Sequence, residues 1–298
     1  MHDLVAALRG RGVRARTLTV GADAAREHQT MRRVVRGVAE AGGLARRVLR
    51  DPADLVVLMT DPPLLPLLTG PLQRRGRRVV HWTMDLYPGV AGALGVLPEP
   101  LVGAVGRPIR RARRRADAVV AIGQCMASRL RAQGVPDTVV VPNWSLPGLG
   151  ADPEGASAFR QRHDLGGFVV MYSGTLGLAH PSSGLLGAAP RLAEGGVTLV
   201  VVGGGTCGRE RAESRGVQWI PPVERGALSA SLGAADAHVV IQDNRTLGML
   251  VPSKVYGAAA TGRSVAFLGP PESEAAAIAR STPVDTVIDP ADANGISD

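Results

Sequence analysis

Lys254 follows Pro252 and Ser253 at the head of the Ala-rich segment "VPSKVYGAAATG", and it is the single lysine beside 33 arginines. Pro252 suits a first helical turn, because the N–H it lacks would have no intrahelical partner there. Ser253 adds a hydroxyl to the same turn, and Lys254 adds a compact charge beside the positive end of the helix dipole. Two positive features converging on one spot favour an anion such as a diphosphate. The alternative is a surface lysine that escaped the arginine bias. Two further loops could approach such an anion. "YSGTLGLAH" places Gly174 and Gly177 after an apolar run, and "VVGGGTCG" gives the consecutive glycines Gly203, Gly204 and Gly205. Neither spells a GxGxxG fingerprint or a Walker loop, which disfavours a dinucleotide dehydrogenase and a P-loop enzyme. His180 closes the first of these loops, a position that favours function. His81 and His238 lie inside apolar runs and read as structural. Cys125 and Cys207 are far apart without metal-ligand spacing, so they read as reduced thiols and no metal site is expected.

The elements that must position these residues repeat one rhythm. Short apolar runs bounded by polar or turn residues alternate with Ala/Leu/Arg-rich helical segments. In the first half the runs are Asp54–Thr60, Arg77–Thr83, Asp117–Gly123 and Asp137–Asn143, with helical stretches at Gln29–Arg50 and Glu99–Arg115. Residues 144–167 are rich in Gly, Pro and small polar groups and read as a linker carrying one short helix. The rhythm restarts at Phe168–Gly174, Val197–Gly205, Val217–Val223, Asp236–Gln242 and Ser264–Gly269. Such runs are the mark of parallel strands covered on both faces. The pattern therefore predicts an α/β protein of two doubly wound, Rossmann-like domains facing across a cleft, residues 1–142 and 168–298 joined by 143–167.

Charge divides along the same line. Residues 1–150 hold 23 arginines against 11 acids, whereas residues 151–298 hold 11 Lys and Arg against 15 acids. The densest basic cluster, Arg107 to Arg115, lacks interleaved aromatics, which speaks against nucleic acid. It suits an anionic membrane surface, where each arginine gains about 1 kcal/mol; a solvated helix face is the equal alternative. No run of apolar residues is long enough to span a bilayer and no signal peptide is visible, so a cytoplasmic protein is expected, with peripheral binding to the inner face of the plasma membrane as an option.

In order and spacing, "YSGTLGLAH", "VVGGG", "AADAHVV", "VPSKVYGAAATGRSV" and "GPPESE" resemble the second domain of GT-B glycosyltransferases of family 4. The first-half segments "HWTMDLYPGVAGALGVL" and "ADAVVAIGQCMASRLRAQGV" agree, and the nearest subgroup is the bacterial fucosaminyltransferase-like enzymes of O-antigen, capsule and exopolysaccharide assembly. The resemblance implies a retaining transfer from a nucleotide sugar, a UDP-sugar as first choice, to a glycan or polyprenyl-linked acceptor, without a tightly bound cofactor. By position, it places Gly174, Thr175 and Gly177 on the donor phosphate and sugar, and His180 near the sugar. Gly203 and Gly204 would lie under the nucleotide, Pro222 and Val223 beside the base, and Ser253 and Lys254 on the diphosphate. Asp85, in "MDLYP", is the acceptor-side candidate: a carboxylate there orients or deprotonates a sugar hydroxyl. A helix cap or loop acid is nearly as good a reading of Asp85.

Two departures stand out. The family carries a ribose-contacting glutamate where this chain has Gly257, so Glu272 or Glu274 would have to replace it, or the contact is absent. The resemblance also makes the chain look clipped: the family opens with a strand and glycine-rich loop before the segment "HDLVAALRGRG", and closes with helices beyond "VIDPADANGISD". Two rivals to the transferase remain. One is a catalytically silent nucleotide-sugar-binding subunit. The other is a nucleotide-sugar 2-epimerase of the same fold, whose paired catalytic carboxylates and histidine are not evident.

Overall fold

The computed structural model describes residues 2–19, 31–135, 137–204 and 209–288. The apolar runs form two separate parallel sheets. The first contains β1 (Leu55–Met59), β2 (Arg78–Thr83), β3 (Ala118–Ala121) and β4 (Thr138–Val140), paired in that order. The second contains β5 (Phe168–Ser173), β6 (Val197–Val202), β7 (Gln218–Ile220), β8 (Ala237–Ile241), β9 (Ser264–Leu268) and β10 (Asp285–Ile288). Its spatial order is β10-β9-β8-β5-β6-β7, so the chain reverses its direction of travel between β5 and β8. A crevice beyond the strand ends at such a reversal is where open α/β sheets bind ligands.

Side-chain alternation explains why the second sheet is covered on both faces. On β5 and β6, Tyr172, Leu199 and Val201 point into one apolar cluster with Leu185 and Leu186 of the helix Ser183–Glu194. Val169, Met171, Val200 and Val202 point into the opposite cluster with Phe159 of the helix Pro153–Arg162. That helix is the one expected in the linker, and Asp152 caps it by accepting from Gly155 N at 3.0 Å. At the other end of the sheet Asp236 accepts from Val169 N and pairs with Arg160, which ties the linker helix to the foot of β5 and β8.

The first sheet departs from the expectation of strands covered on both faces. β1 lies at an edge, and Leu55 and Val57 are exposed. Elsewhere, Val79 and Leu58 pack with Leu65 and Leu72, and Val119 and Ala121 pack with Met126 and Leu130 of the helix Gln124–Ala132. β10 was not legible as a strand, being four residues long and following the polar, proline-containing stretch "RSTP".

Candidate functional site

Three strand ends of the second sheet converge at the reversal. β5 delivers Ser173 and Gly174, β6 delivers Gly203 and Gly204, and β8 delivers Gln242 and Asp243. Lys254 opens the helix Lys254–Ala260, with Ser253 as its cap residue in αR geometry and without a side-chain capping bond. The helix thus begins two residues after Pro252, whose carbonyl instead accepts from Val255 N at 3.1 Å.

Glycine makes the convergence sterically feasible. A Cβ on Gly203 would fall on the backbone carbonyl of Gly174, so only glycine lets the ends of β5 and β6 come this close. Gly174 itself sits at φ +127°, and a Cβ there would overlap Cε of Lys254. The lysine stem therefore crosses the bare face of Gly174. Gly204 faces Pro222 Cγ and Thr175 Oγ1, at 3.6 and 3.7 Å from where its Cβ would be. Gly177 is exposed, Ser253 is exposed, and Val223 packs against the cluster beneath β6.

At the end of that stem, Lys254 Nζ lies 3.0 Å from His180 Nε2 and 5.3 Å from the centroid of the Tyr172 ring. An ammonium can only donate, so Nε2 accepts and the histidine proton resides on Nδ1. That Nδ1 is buried and has no hydrogen-bond partner among the described residues. Burial, then the lysine charge, holds His180 down at about 4, and burial drives Lys254 down to about 8. No carboxylate partner of Lys254 is found among the described residues. A half-buried cation whose partners among the described residues are a neutral ring and an aromatic face is chemically suited to meet an anion.

Beside Lys254 opens a cleft of about 400 Å³. Ser173, Ser253 and Lys254 line it together with Trp144, Leu146, Leu149, Leu228, Leu232 and Gly257. The apolar wall was missed from sequence, because Trp144, Leu146 and Leu149 stand in a Gly/Pro-rich stretch with no period. Gly257 has room for a side chain: its Cβ would meet Leu149 and Leu232 only at 3.5 and 3.6 Å. Neither expected substitute for the family glutamate lines this cleft. Glu274 Oε2 accepts from Gln124 N at 2.8 Å, and the Glu272 carbonyl accepts from the Cys125 thiol at 3.1 Å. Both contacts bind the second half to the first. Gly205 and Cys207 lie outside the described residues.

Asp85 belongs to the other sheet, two residues past β2. Thr60 Oγ1 accepts from Met84 N at 2.7 Å and Asp85 N at 3.3 Å, which fixes the turn. Burial, then the charge of Asp61, pushes the Asp85 carboxyl up to about 6. His81 and His238 are buried on strands, within reach of Thr69 and Thr261 hydroxyls respectively, and His238 also reaches the cleft wall. Of the basic cluster, Arg107, Arg111, Arg114 and Arg115 are exposed, but Arg113 is buried and donates to the Tyr87 carbonyl. It is unavailable to a membrane, because its side chain is buried rather than open to solvent. Among the described residues, no group of three or more His, Cys, Asp or Glu is placed to hold a metal ion, and no helix is long and apolar enough to cross a membrane.

Residues 1–144 match Glycosyltransferase Family 4. The Escherichia coli (strain K12) protein WcaI, named as a colanic acid biosynthesis glycosyl transferase, is 29% identical over 160 residues. The match takes in 49% of this chain and 39% of WcaI, well short of two thirds of that relative's length. Among solved structures, Anabaena Alr3699/HepE in complex with UDP and glucose superposes with a TM-score of 0.66 at 17% identity, over 86% of this chain and 70% of that one. Sucrose-phosphate synthase from Thermosynechococcus elongatus gives 0.64 at 15% identity, over 94% and 71%. The fold is GT-B.

Proposed function

We propose that the protein is a retaining glycosyltransferase that moves a sugar from a nucleotide sugar, a UDP-sugar first, to a glycan or polyprenyl-linked acceptor in cell-surface polysaccharide synthesis. The observation that carries this reading is the half-buried Lys254, without a carboxylate partner among the described residues, beside His180 at the reversal of the second sheet. The diphosphate would lie against Lys254 and Ser253, with Gly174, Thr175 and Gly177 close to the phosphates and sugar. The nucleoside would extend over Gly203 and Gly204 toward Pro222 and Val223. As the sugar bond breaks, negative charge grows on the departing nucleoside diphosphate, and a fixed ammonium stabilises that charge more than it stabilises the ground state. Asp85 would orient the acceptor hydroxyl and take its proton; its carboxyl, at about 6, is ionised at neutral pH and still basic enough for the task. UDP in the Alr3699/HepE complexes and the polysaccharide named for WcaI support the choice of donor and pathway.

Gly257 favours a second reading. With alkyl groups beside it and Glu274 engaged elsewhere, a ribose would find no carboxylate there, which suits a subunit that binds nucleotide sugars without turning them over. Thermal-shift titration against UDP, GDP, ADP and their sugars tests both. A ligand at 100 times its dissociation constant stabilises the fold by about 2.7 kcal/mol. A shift with UDP-sugars together with release of UDP supports the transferase; a shift without release supports the binding subunit; no shift with any nucleotide overturns both.

The exposed arginines Arg107, Arg111, Arg114 and Arg115, with Leu101 exposed on the same helix, form the surface we assign to an anionic membrane. This would place the enzyme on the cytoplasmic face, where a polyprenyl-linked acceptor resides.

A further inference from the structure

We infer that Met249 is a positioning residue: the segment from Asp243 to Lys254 is a strap that holds Asp85, His180 and Lys254 in one register, and Met249 anchors it. The inference rests on the proposed function. The strap leaves the carboxyl end of β8 and ends at Lys254 itself. At its root, Asp243 N donates to the Ala179 carbonyl at 3.1 Å, next to His180. Thr246 N and Oγ1 both donate to the Asp243 carbonyl, and Met249 N donates to the Thr246 carbonyl at 2.8 Å, so the root and the anchor form one hydrogen-bonded unit.

The anchor crosses into the other half of the molecule. The Met249 side chain is buried in the apolar cluster of the first sheet, with Leu86, Val90 and Met126. Its carbonyl accepts from Leu86 N at 2.7 Å, one residue beyond Asp85. Arg129 donates to the Leu247 carbonyl at 3.2 Å, and Gly248, at φ +68°, comes so near Cys125 that a Cβ would stand 2.9 Å from its carbonyl oxygen. Lys254 follows Met249 by five residues, a reach of at most about 18 Å. The strap therefore fixes the acceptor-side turn and the donor-side cation to each other, with the Met249 side chain as its buried anchor beside the Leu86 and Arg129 hydrogen bonds.

Loss of the anchor should loosen that register while leaving the second sheet to bind nucleotide. In the full chain, Met249→Ala should keep UDP affinity within about twofold of wild type by calorimetry and lower the turnover rate with a UDP-sugar at least about tenfold. Met249→Leu, which conserves volume, should restore the rate. An unchanged rate in Met249→Ala, a parallel loss of rate and UDP affinity, or no recovery in Met249→Leu would each overturn the inference. A wild-type chain that turns over no UDP-sugar would instead overturn the proposed transferase, and the inference with it.

Discussion

The carboxyl ends of the two sheets are electrostatic opposites of the halves that carry them. The first half is arginine-rich, yet its strand ends present Asp61 and Asp85; the second half has excess acid, yet its strand ends present a lysine without a carboxylate partner among the described residues. Burial acts on both in the same sense, moving each toward its neutral form: Asp85 up to about 6 and Lys254 down to about 8. The charged form of each group has lost hydration, so each is suited to a partner that compensates its charge, a proton for the carboxylate and an anion for the ammonium. Bulk charge would concern where the protein sits, and the two half-buried groups what it does there.

The largest expected effect breaks the acid side alone. Asp85→Asn should lower the transfer rate by roughly 100-fold or more, in the range of a lost general base, with UDP affinity unchanged. A rate within a few-fold of wild type would return Asp85 to the role of a loop acid. On the cationic side, Lys254→Ala should weaken UDP binding by roughly 10- to 100-fold, in line with about 1.5–3 kcal/mol for a hydrogen bond to a charged group. Lys254→Arg should recover part of it, because the Gly174 face accommodates a narrow stem but not a flat guanidinium without displacement. Full affinity in the arginine variant would show that charge alone is read.

The pH dependence sharpens the same contrast. Asp85 acts as a base only when ionised, so the rate should rise as pH passes up through about 6. Lys254 binds the diphosphate only when protonated, so affinity should fall as pH passes up through about 8. Together they give a bell-shaped profile of rate over substrate, whose acid limb disappears in Asp85→Asn. The smallest effect concerns bulk charge. Replacing Arg107, Arg111 and Arg115 with serine should weaken sedimentation with anionic liposomes in a salt-dependent manner and leave UDP affinity as it was. Liposome binding indifferent to salt and to the three replacements would make the cluster a solvated face.

Much of this was legible from residue order. The strand cores announced themselves through β-branched runs, and Lys254 through its singularity and its place after Pro252-Ser253. The Gly174 and Gly203 positions were visible as glycines after strands, but their purpose was not: the near overlap of Gly203 with Gly174, and of Gly174 with the lysine stem, exists only once β5 and β6 lie side by side. The strap was hidden for the same reason. Met249 looks like any apolar residue before a helix, and its burial in the other half depends on contacts between residues more than a hundred positions apart. Arg113 was misread with its neighbours, since a run of arginines conceals which one faces inward.

Proton uptake tests most directly whether the half-buried Lys254 receives a diphosphate. UDP should be titrated calorimetrically at pH 8 in buffers of different ionisation enthalpy, into wild type and Lys254→Ala. An arriving anion raises the lysine above its free value of about 8, so wild type should take up a fraction of a proton on binding UDP, and the alanine variant should bind more weakly and take up less. Equal affinity and equal proton uptake in the two proteins would contradict the account.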